Sequence, residues 1–193
     1  PMCQSSGPST ALRVVLAAAS RLPAVQSLSI CSYPCMLINA GNCYSRRGDG
    51  AMTLLREDPS RYNWGMFCYL RDVASGEFWS SAHQPTCAPV ENYTAIFSDA
   101  KAEFRGRKLN FDMHTEIAVS PEDDIELRRL RVTNRSRVRR TIEITTFAEV
   151  VLAPGISDEM QPTFSNLFVQ SELLPEKQAI LCSRRARAHG VPA

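Results

Sequence analysis

Leu109-Asn110-Phe111-Asp112-Met113-His114-Thr115-Glu116-Ile117-Ala118-Val119 carries an apolar or β-branched side chain at every second position. Leu109, Phe111, Met113, Thr115, Ile117 and Val119 share one face, while Asn110, Asp112, His114 and Glu116 share the other. A period of two marks a strand buried on one side. Ser120-Pro121-Glu122-Asp123-Asp124 then reads as a turn, because proline fixes φ and the acids favour reversal. Ile125 and Leu127 open the next strand, whose apolar positions move to Leu130 and Val132, a shift that predicts a bulge near Arg128-Arg129. Asn134 to Val138 reverses the chain again. Ile142, Ile144 and Thr146 alternate with Glu143 and Thr145 in a third strand that runs on into Val150-Val151-Leu152. Three long strands joined by short turns predict an antiparallel meander, and a sandwich is the economical way to bury it.

Outward from this stretch the same grammar continues. Trp64 to Leu70 and Phe78-Trp79 read as a hairpin through Asp72 to Gly76, and Tyr93 to Phe97 as a further short strand. Phe164 to Glu172 and Gln178 to Cys182 read as two more strands around Pro175. Residues 1–28 differ: Ser, Gly and Pro come first, then a helical pattern from Ala11 to Leu22 that stops at Pro23. The division expected is a helical or poorly ordered arm over 1–28, a β-sandwich domain over 29–183, and a basic tail over 184–193. The fold class is all-β, an antiparallel sandwich that lacks some of its strands.

The 193 residues suit one domain, with 44% hydrophobic and 22% charged side chains. A net charge of +2 argues against non-specific attraction to nucleic acid. No apolar run reaches the roughly 18 residues of a membrane helix, and Leu12 to Ala19 lacks the basic flank of a signal peptide. The expectation is a cytoplasmic domain with no nucleic-acid partner and no direct membrane insertion. Of seven cysteines, Cys31, Cys35 and Cys43 lie close together, yet there is no C-x-x-C pair and neither His83 nor His114 has zinc-site spacing to them. Free thiols are expected, with no metal and no cofactor. The arginines at 128, 129, 131, 135, 137, 139 and 140 suit an anionic partner or, more simply, a solvated face paired with Glu116, Glu126, Glu143 and Glu149. Asn92-Tyr93-Thr94 and Asn134-Arg135-Ser136 are glycosylation triplets, which matter only in a secreted eukaryotic protein.

No Ser-His-Asp or Cys-His arrangement, P-loop or dinucleotide fingerprint emerges, so no catalytic residue is assigned. Tyr44, Tyr62, Trp64, Tyr69 and Trp79 cluster in the first half. Such rings either stack on the C–H faces of sugars or fill the core.

Asn39-Ala40-Gly41 followed by Tyr44-Ser45-Arg46 resembles the N-A-G-x-x-Y-S-R signature of glycoside hydrolase family 94. Arg56-Glu57-Asp58, Asn63 to Asp72, Phe78-Trp79-Ser80 with His83-Gln84-Pro85, and Ala100 to Phe104 extend the match. So do His114 to Ser136 and Phe164 to Gln170. The resemblance covers about residues 30 to 187, and is to the cyclic β-1,2-glucan synthase branch rather than to the short cellobiose or chitobiose phosphorylases. It implies an N-terminal, galactose-mutarotase-like β-supersandwich packed on an (α/α) barrel that holds the general acid and phosphate ligands. In the inverting reaction, the acid protonates the leaving oxygen while phosphate attacks from the opposite face. The expected partners are a β-glucan oligosaccharide, the barrel and a second copy of the chain, the parent enzyme lying at the cytoplasmic face of a bacterial inner membrane. The expected substrate-facing residues are Tyr44, Arg46, Trp64, Trp79, His83 and Gln84. Arg47, Gly50 and Leu55 stand where the family pattern has Trp, an apolar residue and Trp; Pro34 enters a strand, and Asn42-Cys43 replaces a glycine-rich loop. A stand-alone carbohydrate-binding module and a purely structural domain are the competing expectations.

Overall fold

A computed structural model describes residues 12–18, 23–30, 33–53, 65–154 and 166–185. Strands dominate: β1 (Arg13–Val15), β2 (Val25–Ile30), β3 (Tyr33–Ile38), β4 (Cys43–Arg47), β5 (Gly50–Thr53), β6 (Met66–Asp72), β7 (Phe78–Ser80) and β8 (Glu91–Phe97) fill the first half. The second half holds β9 (Lys101–Lys108), β10 (Phe111–Val119), β11 (Glu126–Asn134), β12 (Ile142–Ala148), β13 (Val150–Pro154), β14 (Val169–Leu174) and β15 (Ala179–Arg184), with a 3-10 turn at Pro175–Lys177. They form four antiparallel sheets, ordered β1-β8-β9-β10-β11, β12-β6-β7, β13-β5-β4-β3-β2 and β14-β15.

The alternation in β10 explains the layering. Phe111, Met113, Thr115, Ile117 and Val119 are all buried, and the intervening residues are partly exposed. Phe111 and Met113 pack with Leu70 and Trp79 of the β12-β6-β7 sheet. Ile117 and Val119 pack with Leu28, Cys35, Leu37 and Cys43 of the β13-to-β2 sheet, together with Phe97 and Phe104. One face of the first sheet is thus covered in two portions, by a three-stranded and a five-stranded sheet. The expected sandwich and the hairpin at β6–β7 are both present.

Several expectations require correction. Arg13–Val15 is a strand paired with Ala95–Phe97, and Val25–Ile30 pairs with β3, so these parts of the expected arm belong to the sheets. The rest of the helical pattern lies partly outside the described residues. No bulge occurs at Arg128-Arg129, since β10 and β11 pair without interruption from Phe111↔Asn134 to Val119↔Glu126. Leu127 points outward at 60% exposed, while Glu126 and Arg128 take the inward positions. Nor does β12 extend the meander: it leaves β11 and pairs with β6 in another sheet. Strand β13 is separate too, joining β5 with a register shift between Val150 and Ala153. Pro34 sits within β3, opposite Ser29 of the edge strand β2 and before the pairing with β4 begins at Cys35. Its missing donor is tolerated there.

Candidate functional site

The turn after β3 and the loop after β7 interlock. The Ile38 amide donates to the Asn42 carbonyl at 3.1 Å and the Gly41 amide to the Ile38 carbonyl at 2.9 Å. Gly41 has φ +98°, and a Cβ there would lie 2.2 Å from the Ala82 Cβ. Both the backbone conformation and the close approach require glycine. Beside this contact, the Gln84 amide donates to the Ala40 carbonyl at 2.9 Å. The loop is closed at its base by a Ser80–Thr86 hydroxyl pair at 2.6 Å, and each hydroxyl also accepts the other residue's amide at 3.1 Å.

Asn39, fully buried, ties three segments to this junction. Its Oδ1 accepts from the Ala24 amide at 2.9 Å, and its Nδ2 donates to the Ala17 and Ala18 carbonyls at 2.8 and 3.2 Å. Its carbonyl accepts from Tyr93 Oη on β8 at 2.7 Å. The three residues of the Asn-Ala-Gly signature therefore each hold a different neighbour by a distinct physical device.

Beside the junction lies an open groove of about 650 Å³, lined by His83, Pro89, Asn92, Tyr93 and Thr94 among others. His83 meets the Tyr93 ring edge-on, with centroids 6.3 Å apart. Burial lowers the His83 pKa, favouring a neutral imidazole that both donates and accepts. The β8–β9 register shifts between Glu91 and Thr94, and Asn92 has φ +53°. Such an irregularity re-aims side chains at a strand edge. Amide, hydroxyl and neutral imidazole around an apolar wall make a surface suited to polyhydroxylated ligands.

The expected site residues separate. His83 and Gln84 lie in the loop against Ala40, and of the two His83 lines the groove. Trp79 is 0% exposed, stacks on Phe111 at 6.1 Å and donates Nε1–H to Met113 Sδ at 2.8 Å, so its ring fills the core and offers no free face. Tyr44 is half-buried against Ala51, Val151 and Ala153, and Arg46 is exposed on β4 opposite Ala51. Trp64, like Tyr62, lies outside the described residues. Asn39 and Tyr93 were not among the expected site residues. A buried polar side chain directly after Leu37-Ile38 is the sequence signal for Asn39.

A second polar cluster lies between sheets. Glu126 Oε2 accepts from Ser45 Oγ at 2.8 Å and lies 3.6 Å from Cys43 Sγ, while Arg128 Nε bonds Oε1. Arg128 also donates from Nη1 to the Met66 carbonyl at 3.1 Å. Burial pushes the Glu126 carboxyl up, but the Arg128 charge and the hydrogen bonds outweigh it and leave the pKa lowered. Cys35 and Cys43 bring their sulfurs to 2.9 Å.

The outer face of β9, β10 and β11 carries charge ladders. Lys101 Nζ bridges Glu103 and Glu116 at 2.8 and 2.9 Å, and Arg105 and His114 bond Glu103 at 2.7 and 2.8 Å. Arg129 bonds Glu116, and Arg107 and Arg135 share Asp112, each at 2.5 Å. The basic run is thus paired across strands at several of its positions.

A strand-built domain in which a three-stranded and a five-stranded sheet pack on one face of another five-stranded sheet has the layered form of a supersandwich. The chain belongs to the glycosyl hydrolase 94 supersandwich family, whose model matches residues 10–192. It is 36% identical over 160 residues to the cyclic beta-(1,2)-glucan synthase NdvB of Rhizobium meliloti (strain 1021), covering 83% of this chain and 6% of that protein. It is 24% identical over 123 residues to the solabiose phosphorylase of Paenibacillus borealis, covering 63% of this chain and 15% of that protein. The chain therefore spans a small part of the length of these relatives.

Proposed function

We propose that this domain is the supersandwich module of an inverting β-glucan phosphorylase or cyclic β-1,2-glucan synthase, and that it shapes the carbohydrate-binding cleft without catalysing a reaction itself. The observation that carries the reading is the groove at His83, Asn92, Tyr93 and Thr94, whose walls are fixed by the Asn39–Gly41 clamp. A preorganised wall of hydroxyl-recognising groups adds affinity and orientation to a site completed by another domain. In this reading His83 and Gln84 border the sugar, with Tyr44 and Arg46 further along the cleft. The acid and phosphate ligands belong to an (α/α) barrel packed on this domain, within a cytoplasmic enzyme that pairs as a homodimer.

The test uses the 193-residue chain, inorganic phosphate and β-1,2-glucan oligosaccharides. Chemical-shift changes confined to His83–Thr94, weakened in His83→Ala, with no release of glucose 1-phosphate, are expected. Release of glucose 1-phosphate would refute the non-catalytic assignment, and glucan shifts elsewhere on the sandwich would refute the groove. Micromolar glucan affinity from this chain alone would favour the stand-alone binding module instead.

A further inference from the structure

We propose that Cys35, Cys43 and Glu126 form a binding site for one thiophilic divalent cation of the zinc class, which ties the β3–β4 hairpin to β11. The three residues offer two sulfurs and a carboxylate oxygen that lie within 4.8 Å of one another. Cys35 and Cys43 are fully buried on the inward face of β3 and β4, and Glu126 approaches from the facing sheet. The linear spacing Cys35-x7-Cys43 gives no zinc motif, because two of the ligands meet across neighbouring strands and the third comes from 83 residues away.

One of the two known distances fits and the other requires the thiols to move apart. Tetrahedral zinc with about 2.3 Å bonds to sulfur and about 2.0 Å to oxygen needs S···S near ~3.8 Å and S···O near ~3.5 Å. Cys43 Sγ to Glu126 Oε2 is already 3.6 Å, while the sulfurs at 2.9 Å must part by about 0.9 Å through side-chain rotation. Ser45 Oγ, 2.8 Å from Glu126 Oε2, or a water completes the fourth position.

The surroundings are those of a supported metal site. Arg128 holds the other carboxylate oxygen of Glu126, which leaves Oε2 aimed at the thiols. Hydrogen-bonded outer partners of this kind orient ligating carboxylates. Arg128 Nη2 is buried without a hydrogen-bond partner among the described residues, and the Arg128 charge acts on both cysteines. A donor and positive charge there favour thiolate sulfur. The charges also balance: two thiolates, Glu126 and Arg128 sum to −2, and a divalent cation brings the cluster to zero. On binding, the two thiols release their protons to solvent and the metal takes their place, with no change of oxidation state.

Cobalt(II) titration of the fully reduced 193-residue chain tests this. The expected result is one ion per chain, with near-ultraviolet thiolate-to-cobalt charge transfer and tetrahedral visible bands. Zinc should displace the cobalt. Cys35→Ser and Cys43→Ser should abolish the charge transfer, while Glu126→Gln, which keeps the side-chain shape, should weaken binding at least about tenfold. No bands at excess cobalt, bands that persist in either serine variant, or unchanged affinity in Glu126→Gln would each overturn the proposal. If the serine variants do not fold, the wild-type stoichiometry and the Glu126→Gln affinity decide it.

Discussion

Arg128 lies against Glu126 on the same strand, two residues apart, both turned inward where an alternating sheet ordinarily places apolar side chains. The pair occupies the seam between the sheets, with Ser45 and the Met66 carbonyl taking up further hydrogen bonds. Removing one partner of such a pair leaves an uncompensated charge, whereas replacing both with apolar residues is far milder. Arg128→Met is therefore expected to cost about 3 kcal/mol, and Glu126→Leu/Arg128→Met to recover most of it. Urea unfolding of the two variants measures this, and an additive loss in the double variant would contradict the pairing.

Gly41→Ala combines a positive φ with a clash against Ala82. The expected destabilisation is about 2 kcal/mol or more. Adding Ala82→Gly should relieve the contact but not the backbone strain, so recovery should be partial. Full recovery by thermal melting would show that the contact alone matters.

Asn39→Ala removes the amide groups that hold Ala17, Ala18 and Ala24. Amide hydrogen exchange should accelerate selectively over residues 12–18 and 23–30, with a loss of about 2–3 kcal/mol of stability. Tyr93→Phe, which deletes only the hydroxyl bonded to the Asn39 carbonyl, should cost about 1 kcal/mol and leave the N-terminal strand protected.

Trp79→Ala should act on stability and not through a lost binding face. Excavating a wholly buried indole that packs on Phe111 and Leu70 costs about 3–5 kcal/mol. Trp79→Phe should lose less and leave the His83 groove unchanged, as read by chemical shifts over residues 83–94.

Burial pushes the Glu103 carboxyl up, but hydrogen bonds from Lys101, Arg105 and His114 outweigh it and hold the pKa at about 2, below the ordinary 4.5. Lys101 and Arg129 hold Glu116 at about 2 as well. A depressed carboxylate stabilises the fold above its unfolded pKa, and that stability drains away as pH falls from about 4.5 to about 2. Glu103→Gln should flatten the melting-temperature profile in that window and leave its slope near neutrality unchanged. Equal slopes below pH 4.5 in both proteins would remove Glu103 from the account.

What the sequence shows and what it hides divide along a physical line. β10 is legible because its alternation is local, and the β6–β7 hairpin because turn residues separate two aromatic runs. The partner of β12 is not, since Ile144 and Phe147 look the same whether the strand lies beside β11 or β6. Ile125 and Leu127 mislead because apolar residues are free to sit outside when a paired Glu126 and Arg128 fill the inner positions. At the site, the Asn39–Gly41 and His83–Pro85 motifs are visible as family signatures. That they hold each other is a tertiary fact, which residue spacing does not carry.

The pairing of β12 with β6 also sets a timetable for synthesis. Arg71 and its partner Glu143 are separated by 72 residues, an interval of roughly 4 to 14 s at the ribosome. Until Ile142–Ala148 emerges, β6 has a complete strand sequence and an open edge, with Phe67 awaiting its stacking partner Phe147. A nascent chain halted before Ile142 should therefore engage chaperones that recognise exposed apolar strands more strongly than one halted after Ala148.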